Sequence, residues 1–379
     1  MPSRLRAREL GLRIGDMPSG ARNAITDVPG VRVGHTTLIN GNGPLHPGQG
    51  PVRTGVTIIL PHGDNLFRQK VPGAVHTING FGKACGFEEV RELGVIEAPL
   101  ALTNTLNVGL VADALVQHAI RQSPEIGVRT HSVNVVVGEC NDGYLNDMQG
   151  RHVRAEHVWA AIDTADSGPV PEGAVGAGTG TSCFGWKGGV GTASRVVPAT
   201  AGGFAVGALV QSNFGRPRDL TVLGVPLGRY LQPPDGERRP IQEMGSIMIV
   251  LATDAPLDAR QLQRVCVRAT VGLARTGSHH MHGSGDFVVA FSTATRIEHE
   301  PASLTTRRIA LADERQAMAG LFPAVAECVE EAILDSLCCA ETMVGRDGNT
   351  RYALPGEEVA SVVRRSRPDA VVSLGQATS

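Results

Sequence analysis

Gln242-Glu243-Met244-Gly245-Ser246-Ile247-Met248-Ile249-Val250 runs a glycine–serine pair straight into an apolar segment rich in isoleucine and valine. Residues 247–252 have the length and composition of a buried strand. Just upstream, Pro233, Pro234, Asp235 and Gly236 mark 232–240 as an exposed loop. A loop therefore delivers Ser246 to the first position of a strand. If the chain breaks between Gly245 and Ser246, that serine holds a hydroxyl and a free α-amine on one residue. Such an amine has an unperturbed pKa of about 7.7–8.0, so it acts as a base near neutral pH without a histidine. The hydroxyl also makes the break. Its Oγ attacks the Gly245 carbonyl, an N-to-O acyl shift forms an ester, and water releases it. Glycine tolerates strained backbone geometry and leaves its carbonyl open to this attack. The pair is common, however; Gly277-Ser278 and Gly283-Ser284 repeat it, and most such serines simply terminate a loop, so the dipeptide alone reads as an ordinary loop end.

Residues 56–60, 133–137, 204–211 and 287–291 are further strand-like runs bounded by Gly, Asn, Asp or Pro. Helical spacing is clear over 258–274, where Leu262, Val265, Cys266, Ala269 and Leu273 recur at three- and four-residue steps before Gly277. Met318, Leu321, Val325, Cys328, Ala332 and Leu337 draw a similar stripe over 317–339, and 108–122 is a third helix. Residues 40–53 and 166–172 read as irregular. Strands and helices mix without strict alternation, which argues for α+β layers rather than a doubly wound sheet.

The 379 residues suffice for one large domain or two ordinary ones. With 42% apolar and 19% charged residues the chain reads as globular, and a net charge of -2 gives no electrostatic basis for binding nucleic acid or an anionic membrane. Residues 1–15 are basic but never give way to an apolar core, and no run is long enough to span a bilayer, so the expected location is cytoplasmic. Seven cysteines without a CxxC pair argue against a disulfide framework or a structural zinc site. The only lysines are Lys70, Lys83 and Lys187; the last two sit in glycine-rich loops, with no role assigned.

Ile25-Thr26-Asp27-Val28-Pro29-Gly30-Val31-Arg32-Val33-Gly34-His35 closely resembles the opening motif of the L-aminopeptidase/D-esterase family, the DmpA-like peptidases that include β-peptidyl aminopeptidases. Further matches follow in family order: Thr54-Gly55-Val56-Thr57, Asn79-Gly80-Phe81-Gly82, Leu102-Thr103-Asn104-Thr105, and Gly176-Ala177-Gly178-Thr179-Gly180 running on to Lys187–Arg195. Val210–Gly215, Gly245-Ser246 and Gly283-Ser284-Gly285-Asp286 complete the set. The resemblance spans nearly the whole chain. It implies one α+β domain built as a four-layer α/β/β/α sandwich, the plan shared with ornithine acetyltransferases. It also implies processing into 1–245 and 246–379, assembly of the two chains into a tetramer of heterodimers, and no metal or organic cofactor. The substrate class is short peptides, amides or esters, which lose their N-terminal residue through an acyl-enzyme on Ser246.

By the same resemblance, Ser246 is the nucleophile and Asn213 the oxyanion donor. Tyr144, in Asn141-Asp142-Gly143-Tyr144-Leu145, is the active-site tyrosine, and Ser284 with Asp286 forms a serine–acid pair beside the amine. In an extended chain Ser284 and Asp286 face one side; the same residues also suit a turn. Asn213 alone would read as a turn residue after a strand, and Tyr144 as an ordinary half-buried aromatic.

Other classes remain open on the residues themselves. His279, His280 and His282 resemble ligands of a metal hydrolase, but no HExxH or matching carboxylate accompanies them; a solvated loop at a pocket rim is the plainer reading. The run 176–180 has the glycine content of a phosphate loop but lacks the Gly-Lys-Ser/Thr ending. An acyltransferase of the ornithine-acetyltransferase type would carry a threonine nucleophile, unlike Ser246. A non-catalytic binding protein would never cleave.

Overall fold

Residues 4–234 and 245–370 are described by a computed structural model of the chain. Most of the loop expected over 232–240 therefore lies outside the described residues, as do Gln242, Glu243 and Met244.

Two sheets organise the rest. The first runs in the order β1 (Arg32–Asn40), β2 (Val52–Leu60), β4 (Leu100–Asn104), β5 (Val136–Cys140). The second runs β3 (Gln69–Gly80), β9 (Gly285–Ser292), β8 (Ser246–Thr253), β7 (Ala205–Asn213), β6 (Val190–Val196), and two-residue strands at Val95–Ile96 and Ile297–Glu298 pair with β3. Strands β8 and β9 are parallel, joined through helix α4 (Ala259–Arg275); β7 and β3 flank them antiparallel.

The two sheets face each other. Ile59, Leu102 and Val136 of the first meet Leu209, Met248, Val250 and Phe287 of the second. Because successive strand residues point to opposite faces, Ile247, Ile249 and Leu251 turn outward, against Leu262 and Cys266 of α4 and Val325 and Ala332 of α5 (Glu314–Cys338). A strand covered on both faces has no polar side, which is why 247–252 is continuously apolar. Behind the first sheet, Val56, Ile58 and Val137 pack on Val111 and Leu115 of α2 (Val108–Gln122) and Val158 of α3 (Ala155–Asp163). The result is the expected four-layer α/β/β/α sandwich. Helix α1 (Phe87–Leu93) adds Phe87 and Val90 to the intersheet core, and α6 (Gly356–Ser366) adds Val359 and Val363 to the outer one. Among the described residues no helix is long and apolar enough to cross a membrane.

Boundaries differ from expectation in places. The strand expected at 133–137 is displaced to Val136–Cys140, where Leu100 pairs with Val136. Strand β3 was not anticipated, because Pro72 and Gly73 interrupt its pattern. Both are accommodated there: Pro72 pairs only with the short Val95–Ile96 strand, and a side chain at Gly73 would meet Ile96 at 2.7 Å.

Candidate active site

Strand register assembles the centre of the site. Antiparallel pairing sets Asn213, the last residue of β7, opposite Ser246, the first of β8; parallel pairing sets Gly285 on its other side. The Gly285 N–H donates to the Gly245 carbonyl at 3.2 Å. From the other sheet, the N–H of Asn141, just past β5, donates to Ser246 Oγ at 3.4 Å. Both sheets thus converge on one serine. The Cys140 thiol donates to the Gln211 carbonyl at 3.3 Å, and burial pushes that thiol well above its ordinary value, so it stays protonated and does not compete as a nucleophile.

Asn213 is held by one end of its amide. Its Oδ1 accepts the Ser182 N–H at 2.9 Å, so Nδ2 is the end left to donate. Ser182 is fixed in turn by its neighbour. Lys187, fully buried, donates from Nζ to the carbonyls of Gly178 (2.9 Å), Thr181 (3.0 Å) and Gly188 (2.6 Å). Burial pushes its ammonium down to about 7, against the pull of the Asp142 carboxylate. This clamp gives a structural task to a lysine that had no assigned role. The sequence signal was faint: one lysine among arginines, inside a glycine-rich loop. The glycine run itself packs on backbone. The N–H groups of Gly176 and Ala177 go to the hydroxyls of Thr37 and Thr57, those of Gly178 and Thr179 to local carbonyls, and a side chain at Gly180 would meet the Arg53 carbonyl at 2.1 Å. That arrangement is not a phosphate cradle.

Ser284 and Asp286 fall on one side of an extended segment, and Ser284 Oγ donates to Asp286 Oδ1 at 2.5 Å. Asn79, register partner of Asp286 on β3, donates to the carbonyls of Met281, His282 and Ser284 and so fixes the approach to β9. Asn79 and Asn141 carry no individual site signal in the sequence; only register and folding bring them here.

A cavity of about 500 Å³ opens over this centre, lined among others by Asn141, Tyr144, Asn213, Gly245 and Ser284. Ser246 itself is 4% exposed and does not line it; in the uncut chain its neighbours do. The Arg351 guanidinium stacks 3.7 Å from the centre of the Tyr144 ring, and Asn349 binds the Tyr144 carbonyl at 2.8 Å, which holds that aromatic wall in place. The three histidines diverge. His279 is at the cavity rim, 3.9 Å from Asp219; His280 turns to Asp286; His282 lies against Phe81. Lys83 sits over the Phe81 ring, 5.4 Å from its centre.

Known proteins resemble this chain over nearly its whole length. The model of peptidase family S58 matches residues 23–351. The chain is 41% identical over 374 residues to beta-peptidyl aminopeptidase BapA of Sphingosinicella microcystinivorans, covering 96% of this chain and 92% of that protein. The crystal structure of the PH0078 protein from Pyrococcus horikoshii OT3 is similar at a TM-score of 0.89 and 52% identity, covering 96% and 99% of the two chains. The L-aminopeptidase D-Ala-esterase/amidase from Ochrobactrum anthropi, described as a prototype for the serine aminopeptidases and a variant of the Ntn hydrolase fold, is similar at a TM-score of 0.87 and 36% identity, covering 95% and 98%. With the family model over most of its length and such relatives over nearly all of it, the chain belongs to peptidase family S58 and is a serine-type aminopeptidase.

Proposed function

We propose that the chain cuts itself between Gly245 and Ser246 and works as two associated chains, 1–245 and 246–379, on short peptides, amides or esters with a free amine. The observation that carries this reading is the position of Gly245. It lines the cavity while the adjoining Ser246 is buried, and its carbonyl is already held by the Gly285 N–H.

In processing, Ser246 Oγ adds to the Gly245 carbonyl carbon, and the Gly285 N–H supports the developing oxyanion. The C–N bond breaks, the nitrogen takes the hydroxyl proton and becomes the α-amine, and water hydrolyses the remaining ester. Departure of Gly245 opens the hydroxyl to the cavity. In turnover, the α-amine takes the Oγ proton as Oγ attacks the substrate carbonyl, and Asn213 Nδ2 donates to the oxyanion. The ammonium returns its proton to the leaving amine or alcohol, and water, deprotonated by the same amine, frees the acyl group. Ser284, backed by Asp286, holds the amine, and Tyr144 forms a wall of the substrate cavity. The relatives, a beta-peptidyl aminopeptidase and an L-aminopeptidase D-Ala-esterase/amidase, fit a serine that accepts amide and ester carbonyls alike. A tetramer of such heterodimers is the proposed assembly, testable by light scattering. No step calls for a metal.

Denaturing electrophoresis with intact-mass measurement tests the reading. The wild type should give two fragments that part after Gly245. Ser246→Ala should stay full length and hydrolyse no amino-acid p-nitroanilide. A Ser246→Ala protein that still cleaves itself, or active wild type found only at full length, would overturn it.

A further inference from the structure

Two buried polar atoms face each other without a hydrogen-bond partner among the described residues. They are Nδ1 of His280 and Oδ2 of Asp286, 3.5 Å apart. Buried polar groups are nearly always bonded, so a facing pair of exceptions needs an explanation. The backbone adds a second sign. His280 sits at φ 49°, in the left-handed region that residues other than glycine rarely occupy, directly beyond the Gly277 turn. This conformation turns the ring inward while its neighbour His279 stays 63% exposed.

We infer that His280 is a positioning residue for the nucleophile: its Nδ1–H holds Oδ2 of Asp286, so that the carboxylate presents Ser284 to the α-amine of Ser246. A carboxylate bonded through Oδ1 alone is free to swing about its Cβ–Cγ bond. A second donor on Oδ2 fixes its plane. Ser284 Oγ then gives its proton to Oδ1, and its lone pairs face the amine, which donates one N–H to them. The amine keeps its own lone pair for the Oγ proton of Ser246. A small rotation of the ring closes 3.5 Å to a charge-assisted bond of about 2.8 Å. Asp286 is 1% exposed, so water is a poor substitute for the missing donor. The inference rests on the α-amine acting as the base, as proposed above.

Asparagine and glutamine separate this role from mere packing. An Asn amide places its N–H where Nδ1 stands, whereas Gln places it where Nε2 stands. His280→Asn, His280→Gln and His280→Leu are prepared in the full chain, and processing by intact mass, kcat and KM are measured at pH 8. A hydrogen bond to a charged group is worth about ten- to a hundredfold. His280→Leu and His280→Gln should lose that factor in kcat with little change in KM, and His280→Asn should recover at least tenfold over both. Equal kcat for Asn and Gln, or no loss in any variant, overturns the inference. Because the contrast lies between two polar variants, poor folding of the Leu protein does not blunt it. Ser246→Ala run in parallel keeps the two readings apart. If it is active, the amine-base reading fails; if it is dead while Asn and Gln match, only the role of His280 fails.

Discussion

Asn213 has one amide end to offer, and the fold determines which. Since Ser182 occupies Oδ1, a substrate oxyanion meets Nδ2. Asn213→Ala should therefore lower kcat by about 10²–10³ with KM nearly unchanged, as loss of an oxyanion donor does. Asn213→Asp keeps an acceptor for Ser182 but sets negative charge where negative charge develops; steady-state kinetics should show it at least as inactive, with unchanged thermal stability. A second residue-scale prediction concerns acid. His35, at the end of the 25–35 motif, has Nδ1 2.9 Å from Thr57 Oγ1 and a buried Nε2 with no hydrogen-bond partner among the described residues; burial pushes it down to about 4. Its folded value lies below the unfolded one, so the native state prefers the neutral ring. Its contribution is complete above about pH 6.5 and is lost as pH falls through about 4, on the order of 3 kcal/mol across that window. In urea titrations at stepped pH, His35→Gln should flatten this limb; an unchanged slope would show that the ring protonates without cost.

At the scale of elements, burial decided what could be read from the residues. Strand β8 and helices α2, α4 and α5 carry long, uninterrupted apolar patterns and fall close to where the spacing puts them. Strand β3 does not, because Pro72 and Gly73 are tolerated only through partners far along the chain. The strand at Val136–Cys140 slid three residues because pairing with Leu100, rather than β-branching, fixes its start. The site divides in the same way. Ser246, Asn213, Ser284 and Asp286 stand in motifs, but their convergence is a matter of strand register, and Lys187 and Asn141 act through backbone contacts that no motif records. One element does declare its own start. Asp258 accepts the Gln261 N–H at 2.7 Å and Gln261 accepts the Asp258 N–H at 2.9 Å, a reciprocal cap on α4. Asp258→Ala should lower stability by about 1 kcal/mol, read as a reduced denaturant midpoint. It should leave kcat unchanged, since this cap lies beyond Thr253, at the far end of β8 from Ser246.

For the whole molecule, the proposed cut raises the question of what keeps 1–245 and 246–379 together. Strand pairing across the cut is part of the answer, as β7 lies on β8 and β3 on β9. The shared apolar cores are another part, with Leu209 against Val250 and Val210 against Val325, and a set of ion pairs adds to them, in which one chain supplies the cations and the other the anions. Arg195 of β6, with no exposed side-chain surface, bonds Glu327 at 2.8 Å and Glu331 at 2.5 Å on α5; Arg8 reaches Glu331 at 2.6 Å, and Arg6 reaches Asp335 at 2.8 Å. Burial alone would push Glu331 up, but the guanidiniums of Arg195 and Arg8 outweigh it and hold the carboxyl below its ordinary value. Its stabilisation is thus present above the ordinary carboxylate range and lost as pH falls through the lower folded value. Arg195→Met removes the central cation and leaves two carboxylates buried without it, a change that typically costs about 3–5 kcal/mol. In the uncut Ser246→Ala background the covalent link limits the damage to a lower melting temperature. In a chain free to process, the same loss falls on an association, so the two fragments should part during size-exclusion chromatography at low micromolar concentration, where wild-type fragments co-elute. If Arg195→Met fragments co-elute like wild type and melt at the same temperature, the strand ladders and the shared apolar cores hold the halves, and Arg195 contributes nothing to that association.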